Sequence, residues 1–279
     1  ETVRCRAIWK DRVRCPLVFG AIYLPGFCSG SGAAYDCGGD TVFLYDSEII
    51  EEPFYNLNSL KNFIRNNKGR FTYPKIPNFH GTTFLKQILY ELGHKEIMTQ
   101  KYDSDNKQHQ NAINDLILFL EDIHPNLWSD GKRFPKNNSI MMQMLGNREI
   151  FVSISFNPNE ASSQIAQGIL RNSTKTFTFQ NGSIANTHFL AIPKFSNNIE
   201  QGLNVINELI SPKYQSLKVN SEIWGDPTVL DISKLTIKDQ SLFEEKNSIN
   251  NLKKDYPTII EPHQSWTEAI EKNWIESFN

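Results

Sequence analysis

The chain has little cysteine and no excess of either charge. All four cysteines lie among the first forty of its 279 residues. Their spacing lacks the close Cys-x-x-Cys pairs that bind zinc, and the pattern leaves open whether they form disulfides. The 29 basic and 31 acidic side chains give a formal net charge of -2, which argues against nucleic acid or an anionic membrane as a partner.

Long apolar runs and catalytic motifs are missing as well. The longest apolar stretch precedes Asp40 and is broken by prolines and glycines, which excludes a membrane-spanning helix. The six histidines show no HExxH pattern, and the chain has no Gly-rich phosphate loop and no GxSxG turn. Glu51 and Glu52 would point to opposite faces of a strand, so they make a poor acid–base pair. We therefore predict no catalysis, no metal site and no cofactor.

The composition changes sharply near Asp40. Residues 1–40 contain no asparagine and favour arginine over lysine, whereas the rest of the chain is rich in asparagine and lysine. We predict that residues 1–40 are an atypical segment not native to the fold, such as a frame error or a fusion. No signal peptide is predicted at Glu1, so the chain is either a mature form or lacks its true start.

The remaining residues alternate between strand-like and helical patterns, and 39% of the whole chain is hydrophobic, enough for a sizeable core. Short β-branched and aromatic runs predict strands, and apolar residues at three- and four-residue spacing predict helices. This alternation predicts an α/β fold with a mostly parallel sheet. The predicted strands are Thr41–Tyr45, Arg70–Tyr73, Glu149–Phe156, Thr176–Phe179 and Phe189–Ile192. The predicted helices include Ala112–Phe119, Ile140–Leu145, Ala161–Ile169, Ile199–Ile210 and an amphipathic tail from Trp266 to Phe278.

Four segments carry a resemblance to a known family. They read GRFTYPKIPNFHGTTFLKQILYEL, FVSISFNPNEASSQIAQGIL, GSIANTHFLAIPK and EIWGDPTVLDISKL. In this order they resemble the YnjB-type extracellular solute-binding proteins. The resemblance implies a two-lobed, type 2 periplasmic-binding architecture with an incomplete N-terminal lobe. It implies that residues 41–57 are a lobe 1 strand and hinge, 58–185 form lobe 2, and 186–279 return to lobe 1 and end in helices.

The same resemblance implies a function. Such a protein is the periplasmic substrate-binding component of a bacterial ABC importer, which captures a small solute between two lobes and delivers it to the permease subunits. We expect a monomer. Relatives by fold carry thiamine, polyamines, ferric ions or sugars, and the residues do not choose among them. Two alternatives stay open, a non-functional truncated remnant of such a receptor and an enzyme on the same fold.

Nine residues are candidates for ligand contact. Tyr45 and Asp46 end a strand near the presumed hinge, although core packing and turn capping explain them equally well. Thr82 and Thr83 precede an apolar helical period, so we expect one of them at the start of a helix. The N–H groups of a helix start could bind a ligand; the alternative is that the threonine only caps the helix.

The other candidates follow later strands. Phe156 and Asn157 end a strand within a matched segment and are the better candidates. Asn186 and Thr187 precede the predicted return strand, and a neighbouring Asn-Gly turn explains them as well. Trp224 suits stacking on a flat or cationic ligand, while a buried core position is the alternative.

Overall fold

The structure is a computed structural model that describes residues 34–193, 195–220, 223–225, 228–244 and 257–279. Most of the atypical segment predicted at residues 1–40, with Cys5, Cys15 and Cys28, lies outside the described residues. Its last residues form a strand, β1, over Ala34–Asp40. The origin of the segment stays a prediction.

The described chain contains both helices and short strands, in agreement with the α/β fold that the sequence predicts, but the two kinds of element do not alternate strictly. The strands are β2 (Val42–Asp46), β3 (Val152–Ser155), β4 (Thr174–Phe177), β5 (Ser183–Leu190) and β6 (Thr258–Ile259). The helices are α1 (Leu57–Asn66), α2 (Phe79–Glu91), α3 (Lys107–Ile123), α4 (Asn138–Gly146), α5 (Glu160–Ala166), α6 (Ile199–Leu209), α7 (Pro212–Val219), α8 (Ile237–Glu244) and α9 (Ser265–Phe278). Single 3₁₀ turns lie at Ile97–Thr99, His124–Asn126, Trp128–Gly131 and Ile232–Lys234. None of the helices in the described part of the chain is long and apolar enough to cross a membrane.

The chain divides into two compact units. The larger comprises residues 40–186 and 250–279, and the smaller comprises residues 1–39 and 187–249. This division groups residues 40–57 and the C-terminal 30 residues with the unit that contains 58–185. The resemblance instead assigned residues 41–57 and the C-terminal residues to lobe 1, apart from 58–185. The assignment of lobes stays a prediction.

The sheet of the larger unit has the order β3-β2-β4, and both pairings are antiparallel. Leu44 faces Ser153 on one side and Thr176 on the other. The expectation of a mostly parallel sheet is therefore wrong here. The central strand β2 runs opposite to both of its neighbours, whereas β3 and β4, which are joined through α5, run parallel to each other but are not adjacent. In the second sheet, ordered β1-β5-β6, β5 and β6 run parallel.

Strand β2 is apolar throughout because both of its faces are covered. Phe43 and Tyr45 belong to the main core of the larger unit, whereas Val42 and Leu44 belong to a second core formed with the methionines of α4. Alternate side chains of a strand point to opposite faces, so a strand buried on both sides reads as an uninterrupted apolar run. The prediction of a buried strand at Thr41–Tyr45 is thus confirmed.

Segment 70–73 is not a strand. Phe71 and Tyr73 are fully buried, yet no sheet includes them. The carbonyl of Phe71 accepts a hydrogen bond from the Trp128 N–H, and that of Arg70 accepts one from the Phe151 N–H. Single hydrogen bonds to residues outside the strands satisfy these two carbonyls, so the segment joins no sheet ladder.

The C-terminal helix covers the main core, as its amphipathic pattern predicts. Trp266, Ile270 and Trp274 of α9 are buried there. Helix α2 contacts the segment that leads into α9, because the Tyr90 hydroxyl donates a hydrogen bond to the Ile260 carbonyl. Gln87 of the same helix donates one to the Gly182 carbonyl, just before β5. The final residues are therefore part of the larger unit's hydrophobic structure.

Candidate ligand site

Three aromatic rings meet where β3 ends and α2 begins. The ring of Phe156 lies 4.6 Å from that of Phe79 and 4.7 Å from that of His80, measured between centroids. Phe79 is 52% exposed, and the other two side chains are half-buried. We name Phe79, His80 and Phe156 the aromatic cluster. Its rings form an apolar surface that solvent reaches.

The start of α2 fixes two of these rings. Asn78 is the N-cap, and its side-chain oxygen accepts a hydrogen bond from the His80 N–H at 3.1 Å. The preceding loop then folds back on the first turn, where Gly81 makes a close approach. A Cβ atom at Gly81 would lie 2.2 Å from the Pro74 carbonyl oxygen. The cap and this tight contact hold Phe79 and His80 on an ordered backbone.

A hydrogen-bonded turn fixes the third ring. The Asn157 N–H donates to the Ser155 hydroxyl at 3.1 Å, and the Asn157 side-chain oxygen accepts from the Asn159 N–H at 2.9 Å. Helix α5 begins directly after this turn at Glu160. These hydrogen bonds set the path of the backbone on the C-terminal side of Phe156.

The aromatic cluster carries no positive charge at neutral pH. Burial lowers the pKa of His80 from 6.5 to about 4, because the imidazolium form would lose hydration. The neutral imidazole therefore behaves as a third aromatic ring. Such a surface can stack on a flat ring or contact an apolar group.

The structure favours the non-ligand explanations of Tyr45 and Asp46. Tyr45 is buried and packs edge-on against Phe177 at 5.4 Å. Asp46 is 2% exposed, and its carboxylate accepts hydrogen bonds from the Ser173 hydroxyl at 2.6 Å, the Arg148 Nε at 2.9 Å and the Glu48 N–H at 3.0 Å. Burial alone would raise the pKa of Asp46, but these partners lower it below its usual value. Contact of either residue with a ligand stays a prediction.

Thr82 and Thr83 do not lie at a helix start, so that prediction is wrong. Helix α2 begins three residues earlier, because Asn78 takes the capping position. The Thr82 hydroxyl donates to the Glu271 carboxylate at 2.7 Å. The Thr83 hydroxyl is fully buried and has no hydrogen-bond partner among the described residues. Neither hydroxyl joins the aromatic cluster in any contact seen in this part of the chain.

The three remaining candidates lie elsewhere in the chain. Asn186 and Thr187 lie within β5 rather than ahead of a strand, and their side chains are outside the described part of the structure. Trp224 is 51% exposed, so the expectation of a buried core tryptophan is wrong. The Lys218 ammonium lies 5.4 Å from the centroid of the Trp224 ring, over the ring on which a flat or cationic ligand was expected to stack. Ligand contact by these three residues stays a prediction.

Phe79 and His80 are the residues that sequence reasoning missed. Their neighbours Thr82 and Thr83 were preferred because threonine often caps a helix, whereas the capping residue is Asn78. An Asn followed by an apolar helical period was the available signal.

A groove of about 390 Å³ lies in the same unit between the Ile49–Phe54 loop and α1, and no predicted ligand residue lines it. Among the described residues, no group of three His, Cys, Asp or Glu side chains could hold a metal ion.

The fold is that of the periplasmic solute-binding proteins of ABC transporters. AfuA from Actinobacillus pleuropneumoniae, solved with fructose-6-phosphate, matches with a TM-score of 0.58 at 15% identity over 100% of this chain and 76% of its own. PotD from Streptococcus pneumoniae, a spermidine/putrescine ABC transporter substrate-binding protein, matches with a TM-score of 0.56 at 12% identity over 97% of this chain and 80% of its own. An ABC transporter protein from Clostridium perfringens matches with a TM-score of 0.57 at 16% identity over 90% and 70%. At such identities the likeness shows the fold alone.

One protein is similar to this chain in sequence. Protein YnjB of Escherichia coli strain K12 is 32% identical over 242 residues, which is 86% of this chain. This similarity confirms the resemblance to YnjB-type proteins. The chain spans 61% of the length of YnjB. No protein-family model matches the chain.

Proposed function

We propose that this chain is the solute-binding component of a bacterial ABC importer. It captures a small solute in the periplasm and presents it to the membrane permease subunits. One observation carries the proposal: solved receptors of this kind match 88% to 100% of the chain with TM-scores of 0.56 to 0.59. The similarity to YnjB over most of the chain supports it further.

The aromatic cluster is the part of the larger unit best suited to contact the solute. It lies where strand β3 ends and helix α2 begins. It also presents exposed apolar surface on an ordered backbone, with Phe79 52% exposed. We expect binding without turnover and a monomeric receptor.

A thermal melt of the purified chain with candidate solutes tests the proposal. The panel contains putrescine, spermidine, fructose-6-phosphate, thiamine and a ferric salt. A ligand at one hundred times its Kd stabilises the native state by about 2.7 kcal/mol, which raises the Tm of a domain this size by roughly 5–10 °C. Phe156→Ala should abolish that rise. Leu118→Ala on α3 removes another exposed apolar side chain, 62% exposed, and should leave it intact.

Three outcomes contradict the proposal in different ways. Consumption of a solute during incubation would favour the enzyme alternative. A broad transition without a cooperative midpoint would favour the truncated remnant. A cooperative transition that no solute of the panel shifts would count against a receptor function.

A further inference from the structure

We propose that protonation of His124 releases the last turn of α9, so that the larger unit carries an acid-sensitive C-terminal helix. The inference does not depend on the proposed receptor function. It follows from three features of the larger unit: the way this turn is held, the hydrogen bonds beside His124, and the charges on the elements packed against it.

One side chain holds the last turn of α9 on the main core. Phe278 is half-buried there, and its ring lies 4.3 Å from that of His124 and 6.0 Å from that of Trp274, measured between centroids. The other side chains of this turn are exposed, and they are Ile275, Glu276, Ser277 and Asn279. Helix ends open at a low free-energy cost because their last carbonyls have no partner within the helix. The packing of Phe278 therefore decides whether this turn stays closed.

The hydrogen bonds beside His124 fit its neutral form. The Tyr73 hydroxyl lies 2.7 Å from the His124 Nε2 and accepts from the Trp274 indole N–H at 2.8 Å. An indole can only donate, so the proton of the hydroxyl is available to Nε2. An imidazolium donates from both of its nitrogens. Protonation would thus turn a second donor toward Tyr73 and leave the proton of that hydroxyl without its acceptor.

No counter-charge stands ready for the imidazolium. His124 takes part in no ion pair among the described residues. The acidic groups of the elements packed against it are bound to other side chains or exposed, and they are Asp115 (to His94), Asp122 (to Lys61 and Arg65), Asp130 (to Lys68), Glu271 (to Thr82), Glu276 (to Lys272) and the exposed Glu121 and Glu268. The exposed basic groups of these elements are Lys75, Lys107, Lys132, Arg133 and Lys272. Burial without compensation lowers the pKa of His124 from 6.5 to about 4.

Phe278 is the covering ring that can move at the lowest cost. Tyr73 is fully buried, and Phe134, 5.4 Å from His124, also packs on Tyr73 at 5.0 Å and on Trp274 at 5.3 Å. Phe278 is instead the last residue of its helix. Its displacement hydrates the imidazolium and leaves the rest of the core in place.

Hydrogen exchange at pH 7.5 and pH 5.0, corrected for the intrinsic exchange rates, measures the opening of this turn. With a pKa near 6.5 in the open state and about 4 in the closed state, the opening equilibrium constant should be about thirtyfold higher at pH 5.0. The amides of residues 275–279 should lose protection by this factor. They should exchange faster than those of β2 at both pH values, because one turn opens while the core stays folded.

Variants assign the effect to His124 and to its cover. In His124→Gln the protection of residues 275–279 should not change with pH, whereas His263→Gln, which removes an exposed imidazole before α9, should behave as the unchanged chain. Phe278→Ala should raise the pKa of His124 toward 6.5, followed by NMR of the imidazole C–H groups, because water then reaches the ring. Ile275→Ala removes an exposed side chain of the same turn, 38% exposed, and should leave this pKa unchanged.

Four results would overturn the inference. The first is equal protection of residues 275–279 at both pH values, and the second is an equal loss of protection in His124→Gln. The third is exchange of these residues at the rate of β2, which would mean global unfolding, and the fourth is an unchanged pKa of His124 in Phe278→Ala. If the negative end of the helix dipole held the imidazolium in place, protection of the turn would rise at pH 5.0, and the inference would again be wrong.

Discussion

His124 should make the fold sensitive to acid. Its side chain is 7% exposed in the main core of the larger unit, where the Tyr73 hydroxyl lies 2.7 Å from its Nε2. The Trp274 indole N–H donates to the same hydroxyl at 2.8 Å. Because Tyr73 accepts from Trp274, its own proton is available to donate to His124. The Nε2 atom is then the unprotonated nitrogen, and the neutral ring carries its proton on Nδ1.

The size of the effect follows from the pKa of His124, which burial lowers from 6.5 to about 4. When the pKa of a histidine is lower in the folded state, the unfolded chain binds the proton first as the pH falls. The free energy of unfolding is therefore highest above pH 6.5 and decreases as the pH falls toward 4. At pH 5 the unfolded chain binds this proton and the folded chain does not, so the loss is about 2 kcal/mol. Burial lowers the pKa of His80 in the same direction. Its half-buried ring contributes less.

Urea unfolding at pH 7.5 and pH 5.0 measures this contribution. His124→Gln retains a side-chain acceptor for Tyr73 but has no proton to gain, so its free energy of unfolding should fall about 2 kcal/mol less between the two pH values than that of the unchanged chain. His263→Gln removes an exposed imidazole and serves as the control. If His124→Gln and the unchanged chain lose stability equally, the assignment of a buried neutral histidine is wrong.

Three further substitutions follow from packing and pairing near α2. Gly81→Ala places a Cβ 2.2 Å from the Pro74 carbonyl oxygen, so we expect a loss of about 1–3 kcal/mol in urea unfolding, and a fully stable variant would refute the close approach. Glu261→Gln leaves the buried ammonium of Lys86, now 2.5 Å from the Glu261 carboxylate, without its counter-charge. The expected loss is about 1–3 kcal/mol, smaller than for a fully buried pair since Glu261 is partly exposed, and an unchanged midpoint would contradict it. Thr83→Val replaces a buried hydroxyl that has no partner among the described residues, so calorimetry should find an equal or higher Tm; a clear decrease would reveal a partner for that hydroxyl.

Several elements could be predicted from the sequence because their signals are local. The apolar run at Thr41–Tyr45 predicted a strand within one residue of β2. The apolar stripe from Ile199 predicted α6, and Trp266, Ile270 and Trp274 predicted α9. Each signal is contained in about ten residues and reflects the period of one helix or strand. The four segments that resemble YnjB-type proteins likewise indicated the fold that the solved structures share with this chain.

The candidate site could be predicted only in part. Phe156 and Asn157 lie at the end of a strand, as expected, and Phe156 belongs to the aromatic cluster. Its partners Phe79 and His80 could not be identified, because their exposure depends on where the loop before α2 folds. Trp224 shows the opposite failure: a tryptophan is commonly buried, but this one is 51% exposed.

What the sequence by itself determined is therefore the type and order of several local elements, since propensity and apolar periods act between near neighbours. The tertiary structure decided the antiparallel pairing of β2, the role of Asp46 and the composition of the aromatic cluster. Asp46 meets Arg148 from 102 positions away along the chain. Such contacts depend on how buried groups find hydrogen-bond partners across the whole fold, and no local period records that choice.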